Sequence, residues 1–120
     1  MPDTKSQSVL RETLYLQPSI EAAIILGSEG ELVALEAAEG IESELSPLLT
    51  LLTSICERAT RELGRGGFSS LFVEGTQGHV VVVDLGSERV LGLVASMTSM
   101  PGLLLDDAHA IADRLRTRAA

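Results

Sequence analysis

The sequence predicts an α/β protein of the α+β kind: a five-stranded antiparallel sheet sandwiched between a long middle helix and two terminal helices, in the order αββαβββα. Three observations predict it. Apolar residues recur at helical spacing from Leu45 to Leu63. Apolar strand runs are joined by connections too short for a parallel crossover. Two of those runs are apolar at successive positions, as in a sheet covered on both faces.

In chain order, Ser8 to Leu16 reads as a short helix with Val9, Leu10, Leu14 and Tyr15 clustered, ended by Pro18. The stretch "SIEAAIILGSEGELVALEA" reads as a β-hairpin whose turn lies at Gly27 to Gly30, Gly30 supplying a positive φ. Ser46 to Leu63 reads as an amphipathic helix carrying Leu45, Leu48, Leu49, Leu52, Ile55, Cys56, Ala59 and Leu63 as its apolar stripe. Ser46 suits the N-cap, Pro47 the first helical position, and Gly64 the left-handed position after the last turn. Three strands follow, Ser69 to Glu74, His79 to Asp84 and Arg89 to Met97, separated by "GTQG" and "LGSE". "VVVV" at Val80 to Val83 and "VLGLVA" at Val90 to Ala95 supply the doubly covered strands. A closing helix from Pro101 to Arg118 buries Leu104, Ala108, Ile111, Ala112 and Leu115. Asp106 and Asp107 come early in it and Arg114, Arg116 and Arg118 late, as the helix dipole favours.

With 120 residues, one domain is expected, its core spanning about residues 8 to 118 and burying roughly two-thirds of the unfolded surface. Aromatic residues are only 2% against 45% apolar, so Leu, Val, Ile and Ala must build the core. The single cysteine, Cys56, excludes an internal disulfide and reads as a core thiol in a reducing compartment. No run approaches the ~18 apolar residues of a membrane span, and the N-terminus lacks signal-peptide features, so a cytoplasmic protein without membrane insertion is expected. A net charge of −8 and the want of aromatics argue against nucleic acid. Nine glutamates (12, 21, 29, 31, 36, 39, 42, 44 and 57) fall between Glu12 and Glu57 without a Lys or Arg, so a basic partner is one reading and a solvated face the other.

Catalytic chemistry finds no candidate, and no cofactor is implied. "GRGGFS" leaves a helix and enters a strand, the reverse of a phosphate loop, and the only lysine is Lys5. Arg65 reads as a cation beside a helix C-terminus rather than an arginine finger. His79 and His109 have no ligand-spaced companions and are expected to face solvent. Glu42 with Glu44 and Asp106 with Asp107 fit helix starts better than carboxylate dyads. No serine sits in a GxSxG or SxxK setting.

The order αββαβββα, the hairpin "IEAAIILGSEGELVA", the helix ending "ERATRELG" and the strands "FSSLFVEGTQGHVVVVDLGSERVLGLVAS" together resemble the roadblock / dynein light-chain family. The likeness spans about residues 8 to 118, and the small chain looks like the bacterial members. One departure is "MTSMPGLLLDD", with a proline before the last helix. The resemblance implies a profilin-like roadblock fold with strand order 2-1-5-4-3. It also implies a homodimer, or a heterodimer with a related roadblock protein, in which middle helices pair and third strands meet edge to edge. Leu48, Leu51, Leu52 and Ile55 on the helix and Ser70, Leu71, Phe72 and Val73 on the strand would carry those contacts. Leu51 lies on a flank beyond Leu48 and Ile55, exposed in a lone chain. The family's function implies a non-catalytic partner of a small Ras-like GTPase, with Glu29, Glu31, Glu42, Glu44 and Arg58 as a possible contact surface. The alternative is a structural light chain or assembly adaptor that binds regardless of nucleotide.

Overall fold

The structure, a computed structural model, describes residues 3–38 and 41–119. Eight elements follow in the expected order: α1 (Thr4–Leu16), β1 (Ile20–Leu26), β2 (Leu32–Ala37), α2 (Glu42–Glu62), β3 (Ser70–Gly75), β4 (Gly78–Gly86), β5 (Arg89–Ser96) and α3 (Pro101–Ala119). The strands form one antiparallel sheet in the order β2-β1-β5-β4-β3. That is the 2-1-5-4-3 order implied by the resemblance, and it leaves β2 and β3 as the two edges.

Side chains alternate across the pleat, so each strand feeds two cores. On one face Ala23, Ile25, Val81, Val83, Leu91 and Leu93 meet Val9 and Leu10 of α1 and Leu104, Ala108, Ile111, Ala112 and Leu115 of α3. On the other, Ala22, Ile24, Leu26 and Val82 meet Leu45 and Leu49 of α2, with Phe68 closing one end. All five residues expected to be buried on the last helix are buried. Gly92 sits where α2 comes closest: a Cβ there would stand 2.4 Å from Leu49 Cδ1 and 3.1 Å from Ile24 Cγ2.

Local signals explain most boundaries. Gly30 (φ +82°) makes the hairpin turn and Gly64 (φ +69°) stops α2, as expected. The Gly64 N–H donates to the Arg61 carbonyl and the Arg65 N–H to the Thr60 carbonyl, the paired bonds of a Schellman ending. Pro101 opens α3 at the position where a missing N–H costs nothing, which accommodates the proline that departs from the family pattern.

Other readings need correction. α1 begins at Thr4 rather than Ser8, because the Asp3 carboxylate accepts from the N–H groups of Lys5 and Ser6 and from the Ser6 hydroxyl. Tyr15 is exposed, not clustered with Val9 and Leu10. α2 begins at Glu42, so Ser46 is no N-cap and Pro47 lies inside the helix. Ile41 and Leu45 pack on the sheet there, and their burial extends the helix a turn earlier than the Ser-Pro signal suggests. Leu48, Ile55, Ala59 and Leu63 are exposed, so only part of the anticipated stripe faces the core. Cys56 is half-buried against the α2 core. His79 is buried, not solvent-facing, because strand alternation aligns it with Val81 and Val83. Asp106 and Asp107 lie beyond the first turn of α3, which holds no acid. Glu39 and the side chains of Glu42 and Arg118 lie outside the described residues.

Candidate interaction surface

The two edges of the sheet are finished differently. On β2 the outward backbone groups at Val33 and Leu35 are engaged by α1. The Gln7 carboxamide of α1 donates to the Leu35 carbonyl and accepts from the Leu35 N–H, while the Asp3 N–H donates to the Val33 carbonyl. Gln7 thus imitates a neighbouring strand, and Arg11 adds an ion pair to Glu36 at 3.3 Å. Such cover is how proteins blunt an edge that would otherwise template pairing. Gln7→Ala is expected to cost about 1–2 kcal/mol, the net worth of two hydrogen bonds, read as a lower urea midpoint at unchanged slope.

On β3 the edge is open. The Asp84 N–H bonds the Ser69 carbonyl at 2.9 Å, and alternation along the ladder then turns the N–H and C=O of Ser70, Phe72 and Glu74 away from β4. No helix or side chain among the described residues bonds to them. The Phe72 side chain points inward to the α1/α3 core, its ring 5.5 Å from that of His79. Leu71 packs on the α2 side, and Val73 and Ser70 are exposed. His79 Nδ1 is buried without a hydrogen-bond partner, one polar atom beneath this edge that the sequence reading missed.

The helix α2 is under-used by the core. Among the described side chains of α2 only Leu45 and Leu49 are buried, with Leu52 and Cys56 half-buried, whereas Leu48, Leu51 and Ile55 are 54%, 56% and 56% exposed. These three share a flank at i, i+3 and i+7 spacing. The opposite flank, Thr50, Thr53 and Glu57, faces the β1–β2 turn, where a Cβ on Gly30 would meet Thr50 Oγ1 at 2.8 Å. The leucine-isoleucine flank therefore faces away from that turn. Of the expected helix residues, Leu48, Leu51 and Ile55 come together as one apolar stripe, while Leu52 faces inward.

The glycine tract joins stripe and edge. Gly64 and Gly66 (φ +69° and +85°) have open space where a Cβ would stand, so their conformation, not close approach, calls for glycine. Glu57 closes the tract: its carboxylate accepts from the Phe68 N–H at 2.9 Å and pairs with Arg61. These contacts, the Phe68 bond first and Arg61 next, hold the Glu57 carboxyl below its ordinary pKa range. A carboxyl depressed in the folded state contributes stability that is complete above its unfolded pKa of about 4.3 and is lost as pH falls through the lower folded value. Glu57→Gln is therefore expected to flatten the acid limb of a stability-against-pH curve, measured by thermal melts below pH 5.

The anticipated polar surface does not gather at one place. Glu29, Glu31 and Arg58 lie at the end where α2 finishes, with Glu31 folded back onto the Glu29 N–H and Arg58 paired with Glu62 at 3.2 Å. Glu44 stands near the start of α2, roughly 21 Å away along the axis at 1.5 Å per residue. An open cleft of about 710 Å³ lies at the Arg58 end between α2 and the β1–β2 and β4–β5 turns. Its cations Arg58 and Arg61 are each paired with a glutamate of α2. Among the described residues no group of three or more His, Cys, Asp or Glu could hold a metal ion, and no helix is long and apolar enough to cross a membrane.

No family model matches the sequence, and no curated protein matches it either. Solved structures do. MglB of Myxococcus xanthus superimposes with a TM-score of 0.84 at 19% identity, over 95% of this chain and 94% of its own. A Roadblock/LC7 domain from Streptomyces avermitilis gives 0.82 at 16% identity, over 94% and 96%. An MglB with tetrameric arrangement gives 0.80 at 22% identity, over 95% and 87%. With nearly the full length of each superimposed, the chain has the roadblock fold.

Proposed function

We propose that the chain is a non-catalytic homodimer that binds a small Ras-like GTPase and regulates or scaffolds it. One observation carries the self-association: a β-edge with unpaired backbone groups and an exposed apolar helix stripe are both left open, while α1 engages the middle of the other edge. Two copies related by a two-fold axis through Phe72 would set Ser70 opposite Glu74 of the second copy, Phe72 opposite Phe72, and Glu74 opposite Ser70. That register uses all three outward residues, whereas any other leaves at least one unpaired. It would also bring the stripes of Leu48, Leu51 and Ile55 toward each other across the axis. The tetrameric arrangement of a related MglB supports self-association in this fold.

The GTPase half rests on the family likeness. Two protomers would form a platform whose paired α2 helices, with Glu29, Glu31 and Arg58 at one end and Glu44 at the other, meet the switch region of the GTPase. Pull-down with Ras-like GTPases of the same cell, in GDP and GTP-analogue forms, tests it. Nucleotide-dependent capture is expected, and no capture in either form contradicts the reading. Equal capture in both forms would favour the adaptor role.

A further inference from the structure

The two ends of the molecule differ in charge. At one end the finish of α1 and the start of α3 meet the start of β1 and the finish of β5: the Ile20 N–H bonds the Gln17 carbonyl, the Ser96 N–H the Ser19 carbonyl, and the Leu104 N–H the Met100 carbonyl. These bonds bring the end of α1, the end of β5 and the start of α3 to one place. Five large apolar side chains are exposed there: Tyr15 (83%), Leu16, Met97, Met100 (64%) and Leu103. Apolar side chains concentrated in this way mark interaction sites more often than scattered ones do. The cluster belongs to the α1/α3 layer, on the opposite side of the sheet from the α2 stripe, so the proposed dimer leaves it open.

The sequence has no Lys or Arg in residues 12–57 or 90–113, stretches that include every segment meeting at this end. Arg11 and Arg114, the cations nearest to it along the helices, are paired with Glu36 and Glu12. Three acids are present without an ion pair: Glu21 at the irregularity of β1, and Asp106 and Asp107 early in α3. Lys5, Arg58, Arg61, Arg65, Arg89 and Arg116 lie toward the far end, where α1 starts and α2 and α3 finish.

We infer that this end docks a basic amphipathic segment of a partner protein, its apolar residues on Tyr15, Met100 and Leu103 and its Lys or Arg residues against Glu21, Asp106 and Asp107. Methionine and leucine side chains adapt to an incoming apolar face, and tyrosine adds contact area with few rotamers to freeze. The acids steer a cationic partner and repel a second copy of the same acidic end. An anionic membrane would be repelled for the same reason. The surface is separate from that proposed for the dimer and the GTPase, so the two ideas fail independently.

Tyr15 is the only tyrosine and the chain has no tryptophan, so intrinsic emission reports from this cluster alone. The probe is a short amphipathic peptide of Leu and Lys, with a Leu and Glu counterpart as control. Tyr15 emission is expected to change saturably with the Lys peptide and not with the Glu peptide. Binding should weaken about tenfold in Leu103→Lys and in Met100→Lys, as for anchors of an interface, while the mass in solution and the far-UV circular dichroism stay unchanged. Equal affinity in both variants would overturn the proposal, as would saturable binding that leaves Tyr15 emission unmoved. A Tyr15 signal that changes on diluting the protein alone would assign the cluster to a second copy, and one that responds to phosphatidylserine vesicles would assign it to a membrane; either overturns it.

Discussion

Replacing Leu51 and Ile55 together with glutamate is expected to convert the protein in solution from a species of twice 12.7 kDa to one of 12.7 kDa. Both side chains are more than half exposed in the single chain, so the fold has little stake in them, and exposed substitutions usually stay within about 0.5 kcal/mol. A packed helix pair has a large stake. Each glutamate would be desolvated without a partner, at a cost of several kcal/mol by order of magnitude, and about 1.4 kcal/mol is a tenfold change in affinity. Dissociation should therefore shift by about a thousandfold or more, with the thermal midpoint of the isolated chain nearly unmoved. Light scattering coupled to size exclusion reads the mass directly. Phe72 is a poorer target for this purpose, because its side chain belongs to the α1/α3 core and only its backbone faces the edge.

The second large effect concerns how α2 is held. Leu49 reaches into the notch left by Gly92, and a Cβ at that glycine would overlap its Cδ1. Gly92→Ala is expected to cost about 1–3 kcal/mol by overpacking, and Leu49→Ala about 2–5 kcal/mol by leaving a cavity. The double variant should cost less than the sum, since the new methyl group enters space the leucine vacated. Additive values in a urea double-mutant cycle would mean that the two residues do not meet. This notch matters for association because it fixes α2 on the sheet and so fixes the flank that Leu48, Leu51 and Ile55 present.

How much of this was written in the sequence depends on the range of the signal. Element order, the glycine ends at Gly30 and Gly64, and the five buried positions of α3 follow from periodicity and turn chemistry, which are local. Strand order came only through resemblance, because hairpin connections do not reveal which strands close the middle of the sheet. The splitting of the α2 stripe was hidden: Leu45, Leu48, Leu49, Leu52, Ile55 and Cys56 all satisfy helical spacing, and only the seating of the helix on the sheet decides which flank is left open. Gln7 was unreadable for a similar reason, since its partner Leu35 is a tertiary neighbour with no sequence mark. His79 is different. Its burial could have been seen from its alternation with Val81 and Val83, and the polar character of the residue outweighed that pattern in the reading.

The central claim is that two copies join through the open β3 edge about an axis at Phe72, and cross-linking tests it most directly. In a Cys56→Ser background, Phe72→Cys would place two thiols on a hydrogen-bonded antiparallel pair, with Cα atoms about 5.5 Å apart, inside the range a disulfide spans. Glu74→Cys would place them about 14 Å apart, four residues out of register at about 3.4 Å each. Mild oxidation is expected to give a covalent dimer with Phe72→Cys and none with Glu74→Cys. Cross-linking through Glu74→Cys alone, or a single-chain mass with no cross-link from either variant, would contradict it.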